Sequence, residues 1–529
     1  MTEKGKIVTI IRLLLILLFA FSAEFTAIAQ AQAFDPSIVT TVKGPVRGIV
    51  SATSRQFLGI PYAAPPVGKL RWRPPQEHVG WFVPRNATRF GNHCPQVASV
   101  FGTASLTEDC LYLNVFTPNV PDDVGASNKY PVMVWIHGGA LTAGESDDYL
   151  PTKLVGQGVI VVTLNYRLGA LGFLAHPALI AESPNHISGN YGLMDQQFAL
   201  KWVQRNIATF GGDLEDVTIF GESAGGRSVL MHLASPLAAG LFHRAIAESG
   251  SYFGLATPTL ASEESHGQSF ALSVGCTDQS ARCLRSKSVK EILANWGLFD
   301  SSANVDGKLL TQSPDVAFTN GQFNHVPLIH GTTHDEWRFF VALFGELSGA
   351  PPMTADQYPS VIEGMVGTDA APLVLAEYPL DHYDSPSVAI GALGTDSIFA
   401  CPARAIDQVL SNQTATFAYE FNDASAPELF LPPVSFAYGA THATELRYLF
   451  TLSQGGQLDG SQEKLSQDMI RYWTQFAKSG NPNSSGLVFW RQYEAGTDEF
   501  QSLMVPSPQA ELEFKADHNC DFWAKLTGE

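Results

Sequence analysis

A chain of 529 residues with 45% hydrophobic and 16% charged side chains can bury a large core, which excludes a disordered or low-complexity protein. Its formal charge of −19 argues against nucleic acid or an anionic membrane as a partner and is what a soluble surface requires, with attraction for cationic substrates as a weaker consequence. Length alone suits two to four domains, but a large α/β sheet with long loop insertions absorbs this many residues as one unit.

In chain order, the first feature is a leader. Lys4, Lys6 and Arg12 precede an apolar run from Leu13 to Phe21, and three A-x-A windows overlap between Ala27 and Ala33. This is the layout of a secretory signal peptide over residues 1–33, with cleavage near 29–33 and a mature single domain over 34–529. A membrane anchor is the alternative. The unbroken run is short for a span, Glu24 breaks its continuation, and no later stretch reaches the roughly 18 uncharged apolar residues a spanning helix needs, so no stable membrane anchor is expected. Loss of the leader leaves a formal charge of about −20.

All six cysteines fall in the exported part, where an even count favours disulfides. Cys94 with Cys110 and Cys276 with Cys283 would each close a short loop, leaving Cys401 for Cys520; free buried thiols are the alternative.

From about 130 to 250, short β-branched runs alternate with helix-like segments. The runs are 131–136, 159–164, 217–220 and 245–247, and being apolar throughout they suit a sheet buried on both faces. Apolar positions at helical spacing over 195–207 predict a crossover helix between the second and third runs. Repeated strand–helix–strand units give an α/β fold with a doubly wound, mostly parallel sheet, whose active site gathers at the carboxyl ends of the strands. With no internal repeat or low-complexity linker, one continuous domain is expected.

The third run ends in Gly221-Glu222-Ser223-Ala224-Gly225, a G-x-S-x-G motif between a strand and the helix-like stretch 228–234. A serine on so sharp a turn exposes its hydroxyl above the sheet, and the flanking glycines avoid collisions. A serine nucleophile needs a base to take its proton and donors ready for the oxyanion. His137-Gly138-Gly139-Ala140, after the first run, is a glycine loop in the position for those donors. The base and its acid should follow Ser223 in the chain, but composition does not choose among His232, His243, His325, His330, His334, His382, His442 and His518.

From about Val42 to Trp523 the chain resembles type-B carboxylesterases, the family that includes cholinesterases and bacterial p-nitrobenzyl esterases. The matching blocks are FLGIPYAAPP at 57–66, LRWRPP at 70–75, EDCLYLN at 108–114, NYRLG at 165–169, GNYGLMDQ at 189–196, FGGD at 210–213 and GESAGG at 221–226. The resemblance implies an α/β-hydrolase fold with a large, mostly parallel central sheet flanked by helices and long loop insertions. It implies Glu336 as triad acid, from Gly331-Thr332-Thr333-His334-Asp335-Glu336, with Asp335 the nearest rival. It implies His442 as base, from the block GATHATEL at 439–446, in which Ala443 replaces the family's usual glycine. By the same resemblance the oxyanion donors are the amides of Gly139, Ala140 and Ala224, with Ala140 in place of a commoner glycine. That variant is similar to family members that accept bulky tertiary-alcohol esters. Glu222 and Ser249 are implied supports of the acid and histidine. The family's cysteine pairing agrees with Cys94–Cys110, Cys276–Cys283 and Cys401–Cys520. No tryptophan lies within 94–110, unlike the corresponding loop of cholinesterases, so a choline ester specialist is not expected.

The expected protein is an exported, periplasmic or secreted, serine carboxylic-ester hydrolase acting on a small-molecule ester, with no metal or organic cofactor required. The alternatives are a catalytically silent, cholinesterase-like binding module and a lipase-like esterase for long acyl chains. An intact Ser, Glu and His set favours the enzyme. Neither composition nor motif defines an oligomeric state.

Overall fold

The computed structural model describes residues 35–119, 129–452 and 454–528. The predicted leader, 1–33, lies outside the described residues. At Asp35–Ser37 the chain makes a short turn in which Ser37 donates from its amide and hydroxyl to Asp35 Oδ1. From Val39 onward the chain packs as one compact unit.

Eleven strands form the main sheet: β1 (Ile49–Val50), β2 (Ser54–Pro61), β3 (Tyr112–Pro118), β4 (Tyr130–Ile136), β5 (Ile160–Leu164), β6 (Gly212–Glu222), β7 (Arg244–Glu248), β8 (Leu328–Thr333), β9 (Thr416–Phe421), β10 (Phe500–Leu503) and β11 (Gln509–Glu511). In space they run β11-β10-β9-β8-β7-β6-β4-β5-β3-β2-β1. The block from β5 to β10 is parallel, and the strands at both edges pair antiparallel. Every residue of β5 and of β8 is buried, as is the stretch 217–222 of β6, because helices cover both faces. This is the large, mostly parallel sheet expected from the apolar runs.

The crossover helix α1 (Tyr191–Asn206) begins four residues before the predicted Asp195. Asp195 sits inside the helix, fully buried, where both its oxygens accept from the Arg167 guanidinium at 2.7 Å. Helix α2 (Ala224–Ala234) follows β6 with no spacer beyond Ser223. Helix α3 (Glu336–Phe344) follows β8, while α4 (Gly460–Ser479) packs against the sheet, where its Trp473 donates to Glu248 at the end of β7 at 2.9 Å.

Register decides what the sheet presents. Ile136 at the end of β4 lies opposite Gly221 of β6, Glu222 opposite Glu248 of β7, and Glu248 opposite Gly331 of β8. The loops that leave these four parallel strands therefore emerge side by side on one edge.

Three disulfides join Cys94 to Cys110, Cys276 to Cys283 and Cys401 to Cys520, across sequence separations of 16, 7 and 119. In the chain-entropy picture the longest loop contributes roughly 5 kcal/mol and the shortest about half of that. Replacing Cys401 and Cys520 by serine is expected to lower the urea midpoint about twice as far as replacing Cys276 and Cys283. Equal shifts for the two pairs would reject loop closure as the dominant effect.

Candidate active site

Ser223 occupies the turn between β6 and α2 with φ 55° and ψ −122°, a left-handed conformation that side chains other than glycine rarely adopt. Its neighbours make the turn possible. A Cβ at Gly225 would overlap the Ile136 carbonyl, and one at Gly226 would overlap the Glu248 carbonyl, so only glycine lets α2 start this close to β4 and β7.

The loop after β4 carries Gly139 at φ 94° and Ala140 at φ 55°. Among the described residues, the amides of Gly139, Ala140 and Ala224 donate to no backbone carbonyl. Three N–H groups are thus left free beside the Ser223 turn.

His442 stands on the loop after Gly439. Its Nδ1 lies 2.5 Å from Glu336 Oε2, and its Nε2 lies 3.2 Å from Glu222 Oε1. Glu336 Oε1 accepts from Thr333 N at 3.0 Å, which orients the carboxylate. Ser223 and His442 line one cavity together with Gly138, Gly139, Glu222 and Tyr149. Among the described residues no hydrogen bond joins Ser223 Oγ to His442; such contacts are often open in ligand-free sites and tighten on binding.

Asp335, the rival acid, has another task. Its Oδ2 accepts from Ala440 N at 2.9 Å, its amide donates to Ala440 O at 2.9 Å, and Arg338 pairs with it at 2.8 Å. Asp335 clamps the loop that holds His442, while Glu336 touches the imidazole itself. Ala443, where the resembled family has glycine, has φ 69°, so its methyl group is carried in a left-handed conformation at a cost of about 1 kcal/mol.

Of the implied supports, Glu222 reaches His442. Burial, and then the charges of Glu445, Glu336 and Glu248, raise its carboxyl well above the ordinary range, which favours its neutral form. Ser249 sits next to Glu248 with φ 50°; its amide donates to Gly331 O at 2.8 Å, but its buried hydroxyl has no hydrogen-bond partner among the described residues.

The other histidines are placed elsewhere. His330 is completely buried in a Ser251–His330–Asp407 chain with contacts of 2.9 and 2.8 Å. This looks like a second triad, yet Ser251 is 1% exposed and no carbonyl can reach it. His518 lies between Asp396 and Glu420, His334 against Asp335, and His232 is buried on Gln196. His243 contacts Glu215 at 3.9 Å and His325 Gly321 O at 3.1 Å, while His382 ends a short surface turn.

Several participants escaped sequence reasoning. Phe339, Phe340 and Phe399 surround the His442 ring at centroid distances of 5.9, 5.2 and 5.4 Å and form an apolar wall. Glu248 and Glu445 complete a buried cluster of carboxyl groups behind Glu222; burial pushes Glu248 up to about 8 and Glu445 well above its usual range. Their signal was present, since Glu445 is the glutamate of the 439–446 block and Glu248 precedes Ser249. Tyr149 separates the cavity from a second one walled by Glu145 and Asp148, where burial and the charges of Glu145 and Asp147 push the Asp148 carboxyl up to about 7.

The sheet, the serine turn and the glycine loop define an α/β-hydrolase. The family model described as "Carboxylesterase family" matches residues 35–523. The chain is 36% identical to the acylcarnitine hydrolase of Mus musculus over 500 residues, covering 89% of this chain and 86% of that protein. It is 36% identical to the para-nitrobenzyl esterase of Bacillus subtilis (strain 168) over 495 residues, covering 87% of this chain and 94% of that one. Among solved structures, a thermophilic PNB esterase superposes with a TM-score of 0.77 at 32% identity, covering 93% of this chain and all of that one. The chain belongs to the carboxylesterase family and is a carboxylic ester hydrolase of small-molecule esters.

His93 links the first disulfide loop to this region, with Nδ1 at 3.0 Å from Glu145 and Nε2 at 2.9 Å from Asp147. Hydrogen bonds to Asp147 and then Glu145 raise its imidazolium from 6.5 to about 10. A histidine raised in the folded state stabilises fully below its unfolded value and loses that contribution as pH rises through its folded value. The melting-temperature deficit of His93→Gln is therefore expected to be greatest near pH 6.5 and to fade towards pH 10. A deficit that is flat across this range would contradict the pairing.

Proposed function

We propose that the chain hydrolyses esters through an acyl-enzyme on Ser223, with His442 as the base and Glu336 as the residue that holds it. The observation that carries this reading is the placement of His442: one nitrogen on Glu336 at 2.5 Å, and the ring in the cavity that Ser223 lines. Ser223 Oγ attacks the ester carbonyl carbon as its proton passes to His442 Nε2, and Glu336 stabilises the imidazolium. The oxygen of the tetrahedral intermediate takes hydrogen bonds from the amides of Gly139, Ala140 and Ala224. The carbon–oxygen bond to the alcohol breaks as His442 returns the proton to the leaving oxygen. Water then adds to the acyl-enzyme with the same histidine as base, releasing the acid and restoring Ser223.

Burial and the neighbouring carboxyl groups favour the neutral form of Glu222, and Glu336, at 2.5 Å from Nδ1, is the partner that stabilises the imidazolium. The aromatic wall of Phe339, Phe340 and Phe399 supports an apolar ester group beside the histidine. The two curated relatives act on acylcarnitine and para-nitrobenzyl esters, which supports a small carboxylic ester without selecting one acid or alcohol. Export is part of the same proposal. A leader over 1–33, a domain over 34–529 and three disulfides suit an oxidising compartment, and among the described residues no helix is long and apolar enough to cross a membrane.

Hydrolysis of p-nitrophenyl esters from acetate to laurate tests the reading. Ser223→Ala and Glu336→Gln are each expected to lower kcat by about 10⁴-fold or more without changing the fold. An optimum at short to medium acyl chains is expected, whereas activity that rises to laurate would mark a lipase-like enzyme. Wild-type turnover in Ser223→Ala would refute the mechanism.

A further inference from the structure

Gln96 lies two residues into the loop closed by Cys94 and Cys110 and is 2% exposed. Its backbone pairs with Ser105 in both directions at 3.0 Å, which fixes where its side chain points. The side-chain amide then grips another segment: Oε1 accepts from Gly144 N at 2.8 Å, and Nε2 donates to Gly144 O at 3.1 Å and, more distantly, to Glu145 Oε2 at 3.5 Å. A Cβ on Gly102 would stand 2.5 Å from Gln96 Oε1, so the backbone of the disulfide loop lies directly against this clasp.

Gly144 ends the turn that begins at His137. It has φ 122°, and a Cβ there would overlap the His137 ring, so the two ends of the turn press on each other. Between them Gly139, Ala140 and Leu141 all have positive φ, at 94°, 55° and 57°. Backbone in such conformations persists only where its surroundings over-determine it. The internal backbone bonds are two, from Thr142 N and Ala143 N to Gly139 O; Thr142 Oγ1 adds a bond to Ala140 O at 3.2 Å and His137 Nδ1 lies 2.9 Å from Gly138 O, while Gly169 N donates to Leu141 O at 2.8 Å. The Gln96 amide closes the far end.

We propose that Gln96 is a positioning residue for ester hydrolysis, holding the 137–144 turn so that the amides of Gly139 and Ala140 meet the developing oxyanion. The inference rests on the acyl-enzyme mechanism at Ser223. Gln96 touches neither substrate nor Ser223; it acts by fixing Gly144. Other contacts tie the neighbouring stretches, since Glu145 accepts from Thr103 N at 2.9 Å and Thr103 Oγ1 at 2.8 Å and pairs with His93, which also pairs with Asp147. Loss of the Gln96 clasp alone therefore leaves the loops docked while loosening the turn.

The test uses Gln96→Met, close in shape but unable to make either bond, and Gln96→Glu, which keeps the acceptor for Gly144 N and loses the donor to Gly144 O. Active sites are counted by the burst released from a p-nitrophenyl phosphate triester. In Gln96→Met, kcat per site for p-nitrophenyl butyrate is expected to fall about 10- to 100-fold, the size of effect that small misplacement of reacting groups produces. KM is expected to stay within about twofold. A trifluoromethyl ketone, whose hemiketal oxygen would occupy the same amides, is expected to lose affinity by the factor that kcat/KM loses, with Gln96→Glu intermediate in both. Unchanged kcat per site, or a fall in kcat with unchanged ketone affinity, would overturn the proposal whatever happens to thermal stability. If Gln96→Met does not fold, Gln96→Glu carries the same comparison. Full turnover in Ser223→Ala would instead reject the underlying mechanism, an outcome separate from either result at Gln96.

Discussion

The lateral register of four parallel strands governs everything that happens at this site. Hydrogen bonding aligns Ile136 with Gly221, Glu222 with Glu248 and Glu248 with Gly331, and a shift of one residue on any strand would move its loop away and turn its side chains to the other face. Parallel pairing puts all four carboxyl ends on one edge, so residues from 137, 223, 249 and 336 onward meet there although up to two hundred positions separate them in the chain. The strain at Ser223, Ser249 and Ala140 is tolerated because buried strands on either side hold the backbone. Gly225 and Gly226 permit the close approach that makes that support effective.

The electrostatic arrangement is a consequence of burial. Two carboxyl groups face the two nitrogens of His442, and behind them Glu248 and Glu445 are also buried. Carboxylates packed this closely without cations cannot all ionise, and desolvation raises Glu222, Glu248 and Glu445 together. His442 thus stands in front of a carboxyl cluster in which burial favours neutral forms, with an aromatic wall beside its ring. The buried Ser251–His330–Asp407 chain makes the complementary point: the same residue types at good distances do nothing to an ester without a cavity beside them.

Neighbouring residues with different tasks show how finely the loops are used. Asp335 binds backbone at Ala440 and pairs with Arg338, while Glu336, one residue on, meets His442. Gly439 has φ 67° with its missing side chain's place taken by Asp335, so that clamp depends on glycine, whereas Ala443 carries a methyl group in a similar conformation. The first disulfide loop serves in the same way, as a brace for the turn after β4 through Gln96, Thr103 and His93.

Local features were legible in the sequence because they belong to consecutive residues. Short apolar runs of three to six residues mark strands covered on both faces, a glycine-flanked serine after such a run marks a sharp turn, and cysteines seven or sixteen apart mark short loops. Block resemblance pointed to Glu336 and His442 where the nine histidines after Ser223 were otherwise equivalent. Spacing started α1 at Asp195, four residues after the helix begins at Tyr191. The sequence by itself therefore determined the elements, the serine turn and the class of chemistry available. Only the tertiary structure decided that Asp335 clamps while Glu336 contacts the imidazole, that burial raises the Glu222 carboxyl, that His330 is sealed from solvent and that Gln96 grips Gly144. Those outcomes depend on which distant segments pack together and how much water they exclude, and neither quantity is a property of any stretch of residues read alone.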